Sequence, residues 1–144
     1  MPLGSTMSQD VLNLLLCGKA ISSMATSAGS TLVWQALHTA DPSSGTQATS
    51  ELAVTGYTRV SVTRTTTGFA VDTSISGPAS ASPVAAITFP QCTSTSTGTV
   101  THWSVGQSSA GTGKLIACGT VSPNISIAQN VTPSLTTASS VTLA

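Results

Sequence analysis

The sequence predicts an all-β protein, an antiparallel β-sandwich or jelly-roll-like fold with one short N-terminal helix. Three observations carry this. From Thr31 onward, apolar residues come in short runs that often alternate with polar ones, as half-buried strands require. Pro, Gly and Asp-Pro punctuation separates the runs at the spacing of a sandwich or barrel. Thr and Val, which suit a pleated surface, dominate the runs.

The helix comes first. Ser8 can cap it, Asp10 suits its positive first turn, and Gly18 can end it. Val11, Leu12, Leu14, Leu15, Leu16 and Cys17 make more than one apolar stripe, so the helix should be buried on most sides, in its own domain or against a neighbour. Ser22 to Ser30 reads as a loop. The division expected is therefore residues 1–7 as a flexible start, 8–30 as helix and loop, and 31–144 as the β-sandwich domain. The opening Met1 to Ser5 reads as a tag scar, and no signal-peptide pattern is visible.

The strands follow in order. Thr31 to Thr39 is an extended apolar run stopped by Asp41-Pro42. Tyr57 to Arg64 alternates, with Thr58, Val60 and Val62 on one face and Tyr57, Arg59, Ser61 and Thr63 on the other. Phe69 and Val71 mark a short strand before Gly77-Pro78, and Val84 to Phe89 forms the next, ended by Pro90. Thr93 to Gly98 is a low-complexity hydroxyl loop. In Thr99 to Val105, Trp103 and Val105 share one face, Val100 and His102 the other. Leu115 to Val121 follows the glycine turn Gly111-Thr112-Gly113, Ile125 and Ile127 suggest a strand after Pro123, and Ser140 to Leu143 closes the chain.

Composition restricts function. The 14.3 kDa chain fits one domain. Only 6% of its 144 residues are charged, against about 25% in ordinary soluble domains. They are Asp10, Lys19, Asp41, Glu51, Arg59, Arg64, Asp72 and Lys114. Ser and Thr make up 49 residues, so the surface must be hydroxyl-rich and nearly neutral. Such a surface lacks the repulsion that keeps monomers apart, and suits a chain that lives inside an assembly. Four scattered basic residues cannot neutralise a phosphate backbone, which argues against nucleic acid as a partner. No run approaches the roughly 18 consecutive apolar residues of a membrane-spanning helix.

Candidate chemistry is thin. His38, Asp41 and Ser43 contain the residue types of a hydrolytic triad, but no nucleophile elbow accompanies them. His102 and His38 without clustered carboxylates make a poor metal set. Cys17, Cys92 and Cys118 are odd in number and lack a C-x-x-C spacing, so buried thiols are expected, with a Cys92–Cys118 bridge as the alternative. Gly111-Thr112-Gly113-Lys114 lacks phosphate-loop spacing and reads as a hairpin turn. A sugar platform would need exposed aromatics, yet most of Trp34, Tyr57, Phe69, Phe89 and Trp103 sit at core-phased positions. No catalytic, metal-binding or cofactor-binding residue is assigned, and no enzyme is expected.

Several segments, taken in order, resemble a widespread family of small tailed-phage virion proteins. They are Leu32-Val33-Trp34-Gln35-Ala36-Leu37-His38-Thr39-Ala40-Asp41-Pro42, Glu51 ahead of Gly56-Tyr57-Thr58-Arg59, Ile87-Thr88-Phe89-Pro90, Gly98-Thr99-Val100-Thr101-His102-Trp103 and Val141-Thr142-Leu143. One departure is clear. Family members often carry an acidic, aromatic turn after the His-aromatic strand, whereas Gly106-Gln107-Ser108-Ser109-Ala110 has no charge. The resemblance implies a virion structural protein. Within that class, the short chain, the lack of a coiled-coil or repeat shaft and the neutral hydroxyl surface lead to the expectation of a capsid cement protein, a homotrimer bound to the major capsid protein on the head surface. A minor tail or tail-fibre component involved in host attachment is the alternative.

Overall fold

The computed structural model describes Met7 and residues 32–71 and 79–143. The helix expected after Ser8, the loop after it and Cys17 lie outside those residues. The described strands are β1 (Leu32–His38), β2 (Val60–Thr63), β3 (Phe69–Val71), β4 (Ala79–Pro83), β5 (Ile87–Thr88), β6 (Gly98–Gly106), β7 (Leu115–Ile127), β8 (Ser134–Leu135) and β9 (Val141–Leu143). They form a four-stranded sheet in the order β2-β1-β6-β7, a three-stranded sheet β3-β4-β9 and a two-stranded sheet β5-β8. Every pairing is antiparallel. The all-β, antiparallel class stands, while sheets of four, three and two strands do not spell out a jelly roll.

The core lies on one face of the main sheet. Alternation along β1 sends Val33 and Leu37 to that face, and register sets Leu37 beside Trp103 and Gln35 beside Val105. Ile87, Phe89, Cys92 and Leu135 from the two-stranded sheet and its extension close over them, with Leu52. That extension is held by backbone bonds from Phe89 N–H to the Pro133 carbonyl and from Cys92 N–H to the Val131 carbonyl, each 2.9 Å. Trp103 is only 4% exposed, so the strand phase placing it and Val105 inward is correct.

Three strand expectations need correction. Val100 does not share a face with His102. The register moves from Val100 opposite Ile125 to His102 opposite Thr120, and this irregularity turns Val100 into the core with Trp103. In the run from Tyr57, only Val60–Thr63 is strand. Val60 and Val62 are half-buried as expected, but Thr58 is exposed and Arg59 buried, because Arg59 meets an interior counter-charge before the sheet begins. In the run from Val84, only Ile87–Thr88 pairs, and Val84 is 50% exposed. β4 was invisible to pattern reading because Ala-Ser-Ala-Ser-Pro carries almost no apolar signal; it exists by pairing with β3 and β9. The two segments expected either side of Pro123 form one strand, β7.

Candidate functional site: a wired polar network along β1

Polar residues of the middle of the chain are bonded along β1, from Trp34 to His38, and into the turn after β6. His38 ends that strand, directly opposite His102 of β6, and is fully buried. Its Nδ1 lies 2.9 Å from the Thr49 carbonyl, which can only accept, so Nδ1 carries the proton. Its Nε2 lies 2.7 Å from Ser104 Oγ, and a neutral ring accepts the hydroxyl proton there. Burial holds the His38 pKa below its ordinary value, outweighing the Thr49 carbonyl and the Glu51 charge, which pull it upward. The ring thus fastens β1, β6 and the loop after β1 to one another.

That loop is wired in a second place by Gln47, which is fully buried. Its Nε2 donates to the Trp34 carbonyl at 3.1 Å, and its Oε1 accepts from Ser108 N–H at 3.0 Å. Gly106 makes room for it: a Cβ there would run into the Gln47 amide.

The ion pair completes the cluster. Arg59 grips Glu51 in a forked contact, Nε to Oε1 at 2.7 Å and Nη2 to Oε2 at 2.6 Å. The Arg59 side chain is 1% exposed and that of Glu51 19%. Its remaining donors reach the carbonyls of Ser108 at 2.9 Å and Gly111 at 2.7 Å. Tyr57 donates its hydroxyl to Glu51 at 3.2 Å and accepts from Leu37 N–H at 2.9 Å. Burial, more than any other influence, raises the Tyr57 pKa far above the phenol range, so it stays a donor. Gly56 turns the chain into this cluster at φ 93°, where a Cβ would strike the Gln91 carbonyl.

The Glu51 and Gly-Tyr-x-Arg segments quoted above are therefore a structural device. The uncharged turn after β6 belongs to it as well. Ser108 and Gly111 offer Arg59 main-chain carbonyls, a contact that needs no side-chain charge. Gln47 and the role of Ser104 had no signal in the sequence, since a single amide in a Ser/Thr-rich loop resembles any exposed residue.

The other candidates fall apart in space or chemistry. Asp41 is exposed and accepts from Ser43 N–H at 2.9 Å, an Asx turn ahead of no catalytic partner. The hydroxyl beside His38 is Ser104, not Ser43, and both Ser104 and His38 are 0% exposed, which leaves a substrate no approach. His102 is half-buried and its Nδ1 lies 2.8 Å from Thr101 Oγ1. With Asp41, Thr120 and Ser139 it lines a shallow cleft of about 480 Å³. Cys92 and Cys118 are free, buried thiols and form no bridge. Burial raises the pKa of both. Gly111 to Lys114 lies in the hairpin turn between β6 and β7. None of the five aromatics is exposed; Phe89 and Trp103 are buried, Trp34, Tyr57 and Phe69 half-buried. Among the described residues, no three His, Cys, Asp or Glu side chains converge.

This is the architecture of a scaffold, with polar chemistry turned inward and hydroxyls outward. Comparison with known families agrees in class: the family described as podophage GP4 fiber I protein gp80 matches residues 3–143. The chain belongs to that family and is a structural component of the phage virion, of tail-fibre-like kind. No curated protein matches it. The family favours the tail-fibre alternative over the capsid-cement expectation.

Proposed function

We propose that this chain is a non-enzymatic component of the phage tail, a fibre-type protein that works through contacts with other virion proteins. The observation that carries the reading is the fibre-family match over nearly the whole chain, residues 3–143. The surface chemistry supports it. Glu51 and Arg59 neutralise each other inside, so two of the eight formal charges never reach a partner as free charges. What remains outside is largely hydroxyl, suited to permanent packing rather than to electrostatic capture. A cement protein on the major capsid protein is the reading set aside. The expected three-fold state is tied to local three-fold sites on a shell and loses that motive. Closed self-association keeps its motive in the scarcity of charge and the apolar sequence from Val11 to Leu16.

Copy number tests the proposal. Quantitative mass spectrometry of purified particles should find on the order of tens of copies or fewer, as few tail attachment points imply. Hundreds of copies, matching a shell lattice, would return the chain to the head.

A further inference from the structure

Among the described residues, the outer edge of β7 has no partner strand: β7 is the last strand of the four-stranded sheet and pairs with β6. In its second half Ser122, Pro123, Asn124 and Ser126 are exposed, while Val121 and Ile125 are half-buried against the core. From Ile125 to Ile127 the strand is regular again, with Ile125, Ser126 and Ile127 opposite Val100, Thr99 and Gly98. Beyond that edge lies an open groove of about 450 Å³, whose far wall is Ser134 to Thr136. That wall includes β8, which pairs only with β5.

An edge of this kind is a template for another strand, and proteins that stay monomeric guard it with charge, above all Lys. Here no charged residue occurs from Leu115 to Ala144. Among the described residues, Pro123 and the irregularity between Thr120 and Ile125 are the guards, and they lie upstream of the regular stretch. A strand that adds there must itself be uncharged, must tolerate hydroxyl and amide neighbours, and must offer free backbone groups. A second copy of this chain meets all three conditions with the same edge.

We propose that the outer edge of β7 around Asn124 to Ile127 is a self-association surface, on which β7 of a second copy adds in antiparallel register. The contact joins two four-stranded sheets across a two-fold axis and uses up the open edge in both copies, so it closes as a dimer rather than growing. It rests on the reading that the chain is an assembly component.

Light scattering across a concentration series, on the full chain, tests it. The expected mass is twice the 14.3 kDa of one chain. The double substitution Asn124→Lys with Ser126→Lys places like charges across the axis on outward-facing positions and should return the mass to that of one chain. Thr66→Lys with Thr95→Lys, equal in charge and at exposed positions elsewhere, should leave the dimer intact. Should the edge variant fold poorly, amide hydrogen exchange on the unaltered chain gives the answer. Protection of residues 124–127 should rise with concentration. A single-chain mass at every concentration, an edge variant that keeps the dimer, or exchange independent of concentration would each overturn the proposal. So would an edge that protects only when a different virion protein is added. None of these results bears on where the chain sits in the particle.

Discussion

The two faces of β1 treat polar atoms in opposite ways. On one face His38 is buried with both ring nitrogens bonded, to the Thr49 carbonyl and to Ser104. On the other face Gln35, three residues earlier, is also fully buried, but neither its amide nitrogen nor its amide oxygen has a partner. Its neighbours are the core residues Val33, Leu37 and Val105 with the half-buried Val60. The first face shows how a chain poor in charge makes burying polar groups tolerable: each is bonded to a carbonyl, a hydroxyl or a counter-charge. The second shows what a buried amide looks like when that is not done. Stability should therefore fall when the wired face is cut and rise when the lone amide is removed.

The largest effect belongs to the ion pair that borders the wired face. Glu51→Ala leaves the Arg59 guanidinium buried with carbonyls but no counter-charge. The expected loss is about 3–5 kcal/mol, read as a lower midpoint in urea unfolding at unchanged slope. Adding Arg59→Met to Glu51→Ala should recover part of that loss, because an apolar replacement removes the stranded charge. A loss below about 1 kcal/mol for the single variant would mean that the cluster is solvated.

Next comes the opposite face, with the opposite sign. Gln35→Met keeps the side-chain length and removes both unpartnered polar atoms. The expected gain is roughly 1–3 kcal/mol in the same unfolding measurement. A loss instead would show that the amide has a partner in solution.

The smallest effect is the response to acid. The folded pKa of His38 lies below its unfolded value of 6.5, so the unfolded chain binds a proton that the folded chain resists. The stabilisation is complete above about pH 6.5 and is lost as pH falls below it, through the lower folded pKa. One such group gives a slope of at most about 1.4 kcal/mol per pH unit. Melting temperature measured from pH 7.5 down to pH 5 should fall, and His38→Gln should flatten that part of the curve. An unchanged slope would assign the acid response to other groups.

Only part of this architecture is legible in the residues. Strand β1 follows from an extended apolar run and its Asp-Pro stop, and the inward Trp103 and the β6–β7 hairpin from alternation and turn residues, because a sheet with one buried face must repeat every two positions. The face assigned to Val100 failed because a bulge changes that period without leaving a mark in local sequence. Arg59 failed for another reason. Alternation placed it with Ser61 and Thr63, while its burial depends on Glu51, eight residues away, and on carbonyls about fifty residues away. The Glu51 and Gly-Tyr-x-Arg signature was visible as a resemblance, but only the fold shows that it is one ion pair. Gln35 was read simply as part of an apolar strand, and nothing in a linear pattern reveals an unbonded amide.

A place on the tail is decided by cryo-electron microscopy of intact virions that carry a density tag on this chain. Tag density is expected on the tail, at the one vertex that bears it, and none across the shell. Tag density repeated over the capsid lattice would return the chain to the head.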